Sequence, residues 1–590
     1  MSLQFLRDSV RATALFLFSL IAVALFGMVV KTGIALVFWT AVIVALALLG
    51  VVIYRNYRTL TRRSFFTALA ILLPSLVGIA SVVYLLSYYD GGVPVQFTRN
   101  DMVMNTIEAL TIHQNGGLGS GDEVKPVFLT AVITSIFYGP GTSFSPLLTM
   151  LYGNIVAGLV VCCLASIFTG WLTWALLSNA PWPLRTAAVF VTGWVPFTRS
   201  VFGAVEFDGY LNIPVIYLIL ILSWITYRTL RPAQALIWLP VLLVATLATW
   251  SPASLMPGLL LLMALVRCLH NLPAHHPTSR ELIWIALTWL CVAVFFFAWS
   301  LPALRVDGDY LSAGPGYFAG ELSDHLTIAS ILLLLMLFVF AAALPRHRSP
   351  EAMGLGAFAV GSWLAIFFLL LLRESGDSRW GYYPLKMMWI STITFATIMT
   401  IEALRQAFTP RSASDRRSYA WWRGRCVQVA FFALSVVIMG VGSLLPFEHF
   451  GRGGTLFPTL PRYATMPTDK DHKDHKMPTP EEKKLYDQLV EVFDENQGAP
   501  VVFIRHASNL AFDGDRNRYL IQFSAPTSYD VRIHAYREWH GDYYGMLCPL
   551  LRAWDKEATV ITSTEGYKTT REQIDYCGLS DRVKLITLDN

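Results

Sequence analysis

The side chains that can do chemistry in this chain are carboxylates that can take a proton and cations that can hold an anion, and both lie in polar segments between long apolar runs. Asp90, Asp101, Glu108, Asp122 and Glu123 share one such segment, Glu206 and Asp208 a shorter one, and Asp307 and Asp309 another. A carboxylate at an apolar boundary within reach of a hydroxyl can serve as a general base. Arg373, Arg379 and Lys386 flank Tyr382, Tyr383 and Pro384, and Arg199 and Arg305 lie at comparable boundaries. Arg grips a phosphate through parallel N–H bonds and Lys adds a point charge, so the set suits an anionic headgroup. The plainer alternative is a row of long side chains that anchor helix ends. Trp250, Trp299, Trp380, Tyr382 and Tyr383 can stack on a sugar or border a lipid groove, or simply form an interfacial aromatic belt. Asp309 is a further candidate for substrate contact. No P-loop, zinc-ligand spacing or G-x-S-x-G elbow is present. The run Asp469, Asp471, His472, Asp474 and His475 alternates with Lys470, Lys473 and Lys476 and reads as a solvated charge run.

The elements that must position these groups are membrane helices. Of the 590 residues, 55% are hydrophobic and 14% charged, and the mean hydropathy is +0.50. Soluble domains are about 45–50% apolar and about 25% charged. Apolar runs long enough to cross a bilayer recur along most of the chain, which excludes a soluble enzyme, a disordered chain or a disulfide scaffold. The expected fold is an all-α polytopic membrane protein of about thirteen spans, at 11–30, 32–53, 65–88, 147–172, 183–204, 209–228, 234–250, 254–270, 281–300, 326–345, 351–372, 383–405 and 426–446. The segment 127–146, interrupted by Gly139, Pro140, Gly141 and Pro146, reads as a re-entrant or interfacial helix.

Arg55, Arg58, Arg62 and Arg63 cluster in one short loop, and Arg405, Arg411, Arg416, Arg417, Arg423 and Arg425 in another, with Arg228, Arg231, Arg346 and Arg348 on the same side. Lys/Arg-rich loops stay cytoplasmic. The N-terminus is then inside and the tail outside. The net charge of +5 resides largely in such loops, and no nucleic acid partner is expected.

Two long outer loops are expected, 89–126 and 301–325, within a transmembrane unit of residues 1–446. The first carries a helix pattern near 101–113, which Asn100 or Asp101 can cap, followed by helix-breaking glycines. A Pro-rich linker, 447–480, leads to a small extracytoplasmic α/β domain, 481–590, with a helix near 480–495 and strands at 501–504, 559–562 and 583–588. Cys548 and Cys577 are the two tail cysteines; they form a disulfide in an oxidising compartment or are two unrelated thiols.

The layout resembles the GT-C class of integral-membrane glycosyltransferases, and more narrowly the actinobacterial (mycobacterial and corynebacterial) arabinofuranosyltransferases of the cell wall. The local features that carry the resemblance are Val95–Gln96–Phe97–Thr98–Arg99, Phe137–Tyr138–Gly139–Pro140–Gly141, Ala248–Thr249–Trp250 and the Trp299 to Arg305 turn, in that order. The class places an Asp or Glu base just after the span that precedes the first outer loop. Asp101, at the head of the interfacial helix, ranks first and Asp90 second. The chain departs from the class in having two additional spans ahead of the one, 65–88, that precedes that loop, and no adjacent acidic pair at either position.

The resemblance implies transfer of a sugar, arabinofuranose or another pentose or hexose, from a polyprenyl-phosphate donor to a cell-envelope glycan such as arabinogalactan. Arg305, Arg373, Arg379 and Lys386 would hold the donor phosphate, and Trp250, Tyr382, Tyr383 and Asp309 the substrate. The first-loop carboxylates offer oxygen ligands to a divalent metal, Mg or Mn; no other cofactor is implied. Two further readings stand beside it: a flippase or transporter of a lipid-linked sugar, and a non-catalytic scaffold of envelope assembly.

Overall fold

The computed structural model describes residues 3–302 apart from 31–34, 58–61, 88–89, 93, 95–100, 119–126, 142–146, 199 and 272–275, together with 350–373, 382–408, 480–496, 501–504, 548, 551–552 and 557–588. Among the described residues, ten helices are long and apolar enough to cross a membrane. The chain is a multi-pass helical membrane protein.

The helices are α1 (Leu3–Val30), α2 (Leu36–Asn56), α3 (Arg62–Ser87), α4 (Asp101–Asn115), α5 (Leu129–Ser135), α6 (Leu147–Leu176), α7 (Trp182–Trp194), α8 (Phe202–Asp208), α9 (Asn212–Thr229), α10 (Pro232–Leu247), α11 (Leu255–Asn271), α12 (Ser279–Phe295), α13 (Pro350–Leu372) and α14 (Tyr382–Phe408). Eleven of the expected spans coincide with these helices; those at 326–345 and 426–446 lie outside the described residues. The span expected at 234–250 is the 16-residue α10, about 24 Å long at 1.5 Å per residue. Proline at the first turn of α7 and α10 starts each helix where its missing N–H has no partner to lose. A capping box of Thr278 and Glu281 starts α12. Left-handed Gly209 ends α8.

The central helices are α9 and α14, whose span windows are 89% buried, whereas α12 is 6% buried and lies at the periphery. The core is threaded with hydroxyls that bond within the bundle. Thr173 and Thr192 join α6 to α7 at 2.8 Å, and the Tyr217 hydroxyl donates to Thr397 at 3.1 Å, joining α9 to α14. In an apolar medium such groups need an internal partner.

The two ends of the bundle differ. One end carries ion pairs. Glu402 on α14 accepts from Arg228 on α9 at 3.0 Å and Arg405 at 2.8 Å, and Glu351 on α13 pairs with the same two arginines at 2.9 and 3.4 Å. On α1, Asp8 meets Arg11 and Arg55, and Arg11 donates to Gln234 on α10. The opposite end carries α4, α5 and the turns at 198–211 and 248–254, and it holds every site residue described below except the tail cysteines.

Of the segment 127–146, the described residues 127–141 include α5 and a 3-10 turn, Ile136–Tyr138. Every residue of α5 is buried. It is too short to cross a bilayer, and the Leu129 N–H bonds the Ala248 carbonyl at the end of α10.

In the tail, helix α15 (Pro480–Glu495) precedes strand β1 (Val501–Ile504); β2 (Ala558–Thr562), α16 (Tyr567–Cys577) and β3 (Val583–Thr587) follow. The three strands pair in parallel in the order β1-β2-β3, with Val501 opposite Thr559 and Ala558 opposite Val583. Parallel neighbours need a crossover, which α16 supplies between β2 and β3. Cys548 and Cys577 are disulfide-bonded. Leu489, Val490 and Phe493 bury one face of α15 in the same core as the membrane helices.

Candidate functional site

The first loop begins with a turn that few residue types adopt. Asp90 has φ 53° and Gly91 φ 80°, so two successive residues are left-handed. Asp tolerates this conformation better than most side chains. The Asp90 N–H bonds the Ser87 carbonyl, which folds the chain back over the end of α3. Two residues on, the Gly92 carbonyl accepts the Tyr152 hydroxyl at 2.9 Å. Asp90 is exposed at this end of the bundle, on a turn tied to α6.

Asp101 is the first residue of α4, and its side chain lies outside the described residues. The body of α4 is fixed from three directions. Toward α6, Asn154 donates to the Thr106 hydroxyl at 2.7 Å and accepts the Tyr138 hydroxyl at 2.7 Å; Thr106 in turn donates to the Met102 carbonyl. All three polar side chains are buried, and the His113 ring lies edge-on to Tyr138. Toward α1, the Leu118 N–H bonds the Ala24 carbonyl, and a Cβ on Gly117 would sit 2.5 Å from the Gly27 Cα. Toward α8 and α9, Asn105 donates to the Gly209 carbonyl at 3.4 Å.

That last contact leads to the cation set. Tyr210 follows Gly209, and Lys386, near the start of α14, places its ammonium nitrogen 4.1 Å from the centre of the Tyr210 ring and 6.0 Å from that of Trp250. Lys386 is 2% exposed. A desolvated ammonium over an aromatic face gains about 2 kcal/mol, which makes this burial tolerable. Trp389, one turn along α14, meets Tyr210 edge-on. Arg373 is buried at the end of α13, and Tyr383 is half-buried against the core.

The structure therefore brings Lys386 and Trp250 together and links both to α4 through the Gly209–Tyr210 turn. Asp90 sits on a separate turn joined to α6. Arg305, Asp309 and Arg379, and the side chain of Tyr382, lie outside the described residues. Cys548 and Cys577 belong to the tail. Among the described residues no three His, Cys, Asp or Glu side chains gather as metal ligands. Of the first-loop carboxylates, Asp122, Glu123 and the side chain of Asp101 lie outside the described residues.

Tyr210, Asn105, Thr106 and Asn154 were not singled out from the sequence, and Tyr138 was noted only within the Phe137–Gly141 motif. Asn154 carried a usable signal, a carboxamide inside an apolar run, which marks either an interhelical bond or a site. The role of Tyr210 depends on a contact between distant segments and has no local signature.

No family model matches the chain, and no significant match is found among curated proteins or solved structures.

Proposed function

We propose that the chain is a GT-C-type membrane glycosyltransferase. It transfers a sugar, with arabinofuranose the leading choice, from a polyprenyl-phosphate donor to an extracytoplasmic cell-envelope glycan. The observation that carries the reading is the shared turn at Gly209–Tyr210, which joins the helix headed by Asp101 to the buried cation Lys386 at one end of a membrane bundle. A base and a phosphate-binding cation must sit within one substrate length of each other for this chemistry.

In this reading that end faces outward, the N-terminus is cytoplasmic, and the membrane is the plasma membrane. Asp101 accepts the proton of an acceptor hydroxyl while the oxygen forms the new glycosidic bond. The bond between the anomeric carbon and the donor phosphate breaks in the same displacement, with inversion. Lys386 and Arg373, with Arg305 and Arg379, balance the charge left on the polyprenyl phosphate. Trp250, Tyr382, Tyr383 and Asp309 border the sugar.

The test is a panel of radiolabelled polyprenyl-phosphate sugars with purified protein in proteoliposomes. A new glycosidic bond supports the reading. Movement of the lipid-linked sugar across the bilayer without bond formation replaces it with a flippase, and binding of neither donor nor acceptor favours a scaffold.

A further inference from the structure

We infer that Asn154, inside the membrane span α6, is a positioning residue that fixes the first turn of α4 and so the place of Asp101. The inference rests on the glycosyltransferase reading for what the positioning achieves. The contact itself rests on geometry alone.

Asn154 is 0% exposed and lies seven residues into a helix whose 18-residue window has a mean hydropathy of 2.3. A carboxamide there needs a partner for each of its two ends. Its oxygen accepts from Tyr138 and its nitrogen donates to Thr106, both at 2.7 Å. Thr106 then donates to the Met102 carbonyl at 2.6 Å. The hydrogen bonds thus run in one direction, from the 3-10 turn after α5, through α6, to the carbonyl next to Asp101. Direction matters for the side chain required. Asp offers no donor when ionised, Leu offers neither group, and Gln places its amide one carbon further out. Asn is the residue that closes both bonds at this separation.

Among the described residues, α4 is also held by Asn105 to Gly209 near its start, by Leu118 to Ala24 past its end, and by the burial of Met102, Ile107 and Leu110 in the core. The relay through Asn154 enters α4 at Thr106 and is carried within the helix to the Met102 carbonyl on its first turn. A displacement of about 1 Å at a reacting group lowers turnover by about a hundredfold, so a loosened first turn acts on the chemical step rather than on donor binding.

The experiment compares wild type with Asn154→Leu, Thr106→Val and Tyr138→Phe, each close in shape to the residue replaced. The control is Thr173→Val, which removes a buried hydroxyl pair of similar geometry between α6 and α7. Two readouts are taken. The first is hydrogen–deuterium exchange of the α4 amides in nanodiscs. The second is the separation of kcat from donor KM in the transfer assay. Asn154→Leu and Thr106→Val are expected to speed α4 exchange about tenfold and lower kcat by about tenfold or more, with donor KM within about twofold. Tyr138→Phe should do the same more weakly, and Thr173→Val should do neither. Unchanged α4 exchange in Asn154→Leu overturns the clamp. Faster exchange with full kcat overturns its role toward Asp101. A wild type that transfers no sugar, but whose α4 loosens in Asn154→Leu, upholds the clamp and overturns the glycosyltransferase reading.

Discussion

The backbone N–H of Leu147, the first residue of α6, donates to the carboxylate of Asp494 at 3.2 Å, across 347 positions of sequence. The opening N–H groups of a helix have no partner within it. A side chain from the tail supplies one here, so α15 serves as a remote cap for a membrane helix. A negative group at this terminus also meets the positive end of the helix dipole.

The contact makes tail docking sensitive to pH. Burial pushes the Asp494 carboxyl above its ordinary range, and the Leu147 N–H opposes this more weakly. A carboxyl with a higher pKa docked than undocked binds its proton more tightly when docked. Its contribution to docking is therefore fully present below the undocked value, about 3.9, and declines as pH rises through the raised value. Asp494→Asn keeps an acceptor without the charge and should flatten this dependence. Asp494→Leu should loosen α15 at every pH, by about 1 kcal/mol. Limited proteolysis of the tail from about pH 4 to pH 8, spanning both protonation states, checks both variants; equal sensitivity of wild type and Asp494→Asn at all pH values would contradict the assignment.

Gly27 and Gly117 let two backbones touch. A Cβ on Gly27 would meet the Gly116 carbonyl oxygen and the Gly117 Cα, each at 2.8 Å. Backbone cannot rotate away as a side chain can, so Gly27→Ala should destabilise the fold by about 1–3 kcal/mol. Gly50→Ala is the control, because nothing lies within 4 Å of the new methyl. It should be neutral or slightly stabilising, as expected for alanine in a helix. Thermal melting in one detergent compares them.

Glu402 is 1% exposed and holds Arg228 and Arg405 at once. Replacing it with Gln takes one carboxylate from both guanidinium groups, which keep their pairing to Glu351. The expected loss of stability is on the order of 3 kcal/mol, seen as a lower Tm. Because this cluster lies at the end of the bundle away from α4, the donor KM of the folded fraction should not change.

Lys386 is the described cation that ties the phosphate reading to geometry. Lys386→Met keeps the stem and removes the charge, and donor KM should rise about tenfold, the effect of losing one charge-assisted hydrogen bond. Tyr210→Phe retains the ring face beneath the ammonium and should be milder than Tyr210→Leu. Donor titrations of the variants decide this, and an unchanged KM in Lys386→Met would remove Lys386 from the phosphate site.

The order of elements was legible where the signal is local. Apolar runs located the described spans because a bilayer demands about twenty apolar residues per helix. The first-loop helix starts at Asp101 and runs to Asn115, two residues past its expected end, stopping where Gly116 turns left-handed at φ 69°. The strand patterns around Val501, Val560 and Leu585 match β1, β2 and β3 because buried parallel strands are short apolar runs. The site was legible only in part. Lys386 and Trp250 are visible as residue types, but their meeting over Tyr210 joins positions far apart in the chain. The same holds for Asn154, Thr106 and Tyr138, whose pairing depends on how α4 and α5 fold back onto α6. Residue spacing cannot report such contacts, since each partner is common at its own position.

In the proposed function, a base at the head of α4 acts on a lipid-linked sugar. The most direct measurement is transfer from radiolabelled polyprenyl-phosphate arabinofuranose by wild type, Asp101→Asn and Asp90→Asn, with donor binding measured on the same preparations. Wild type is expected to form product, Asp101→Asn to bind donor as well as wild type and form none, and Asp90→Asn to retain activity. Undiminished transfer by Asp101→Asn would contradict this role of Asp101, and loss confined to Asp90→Asn would move the base to the turn after α3.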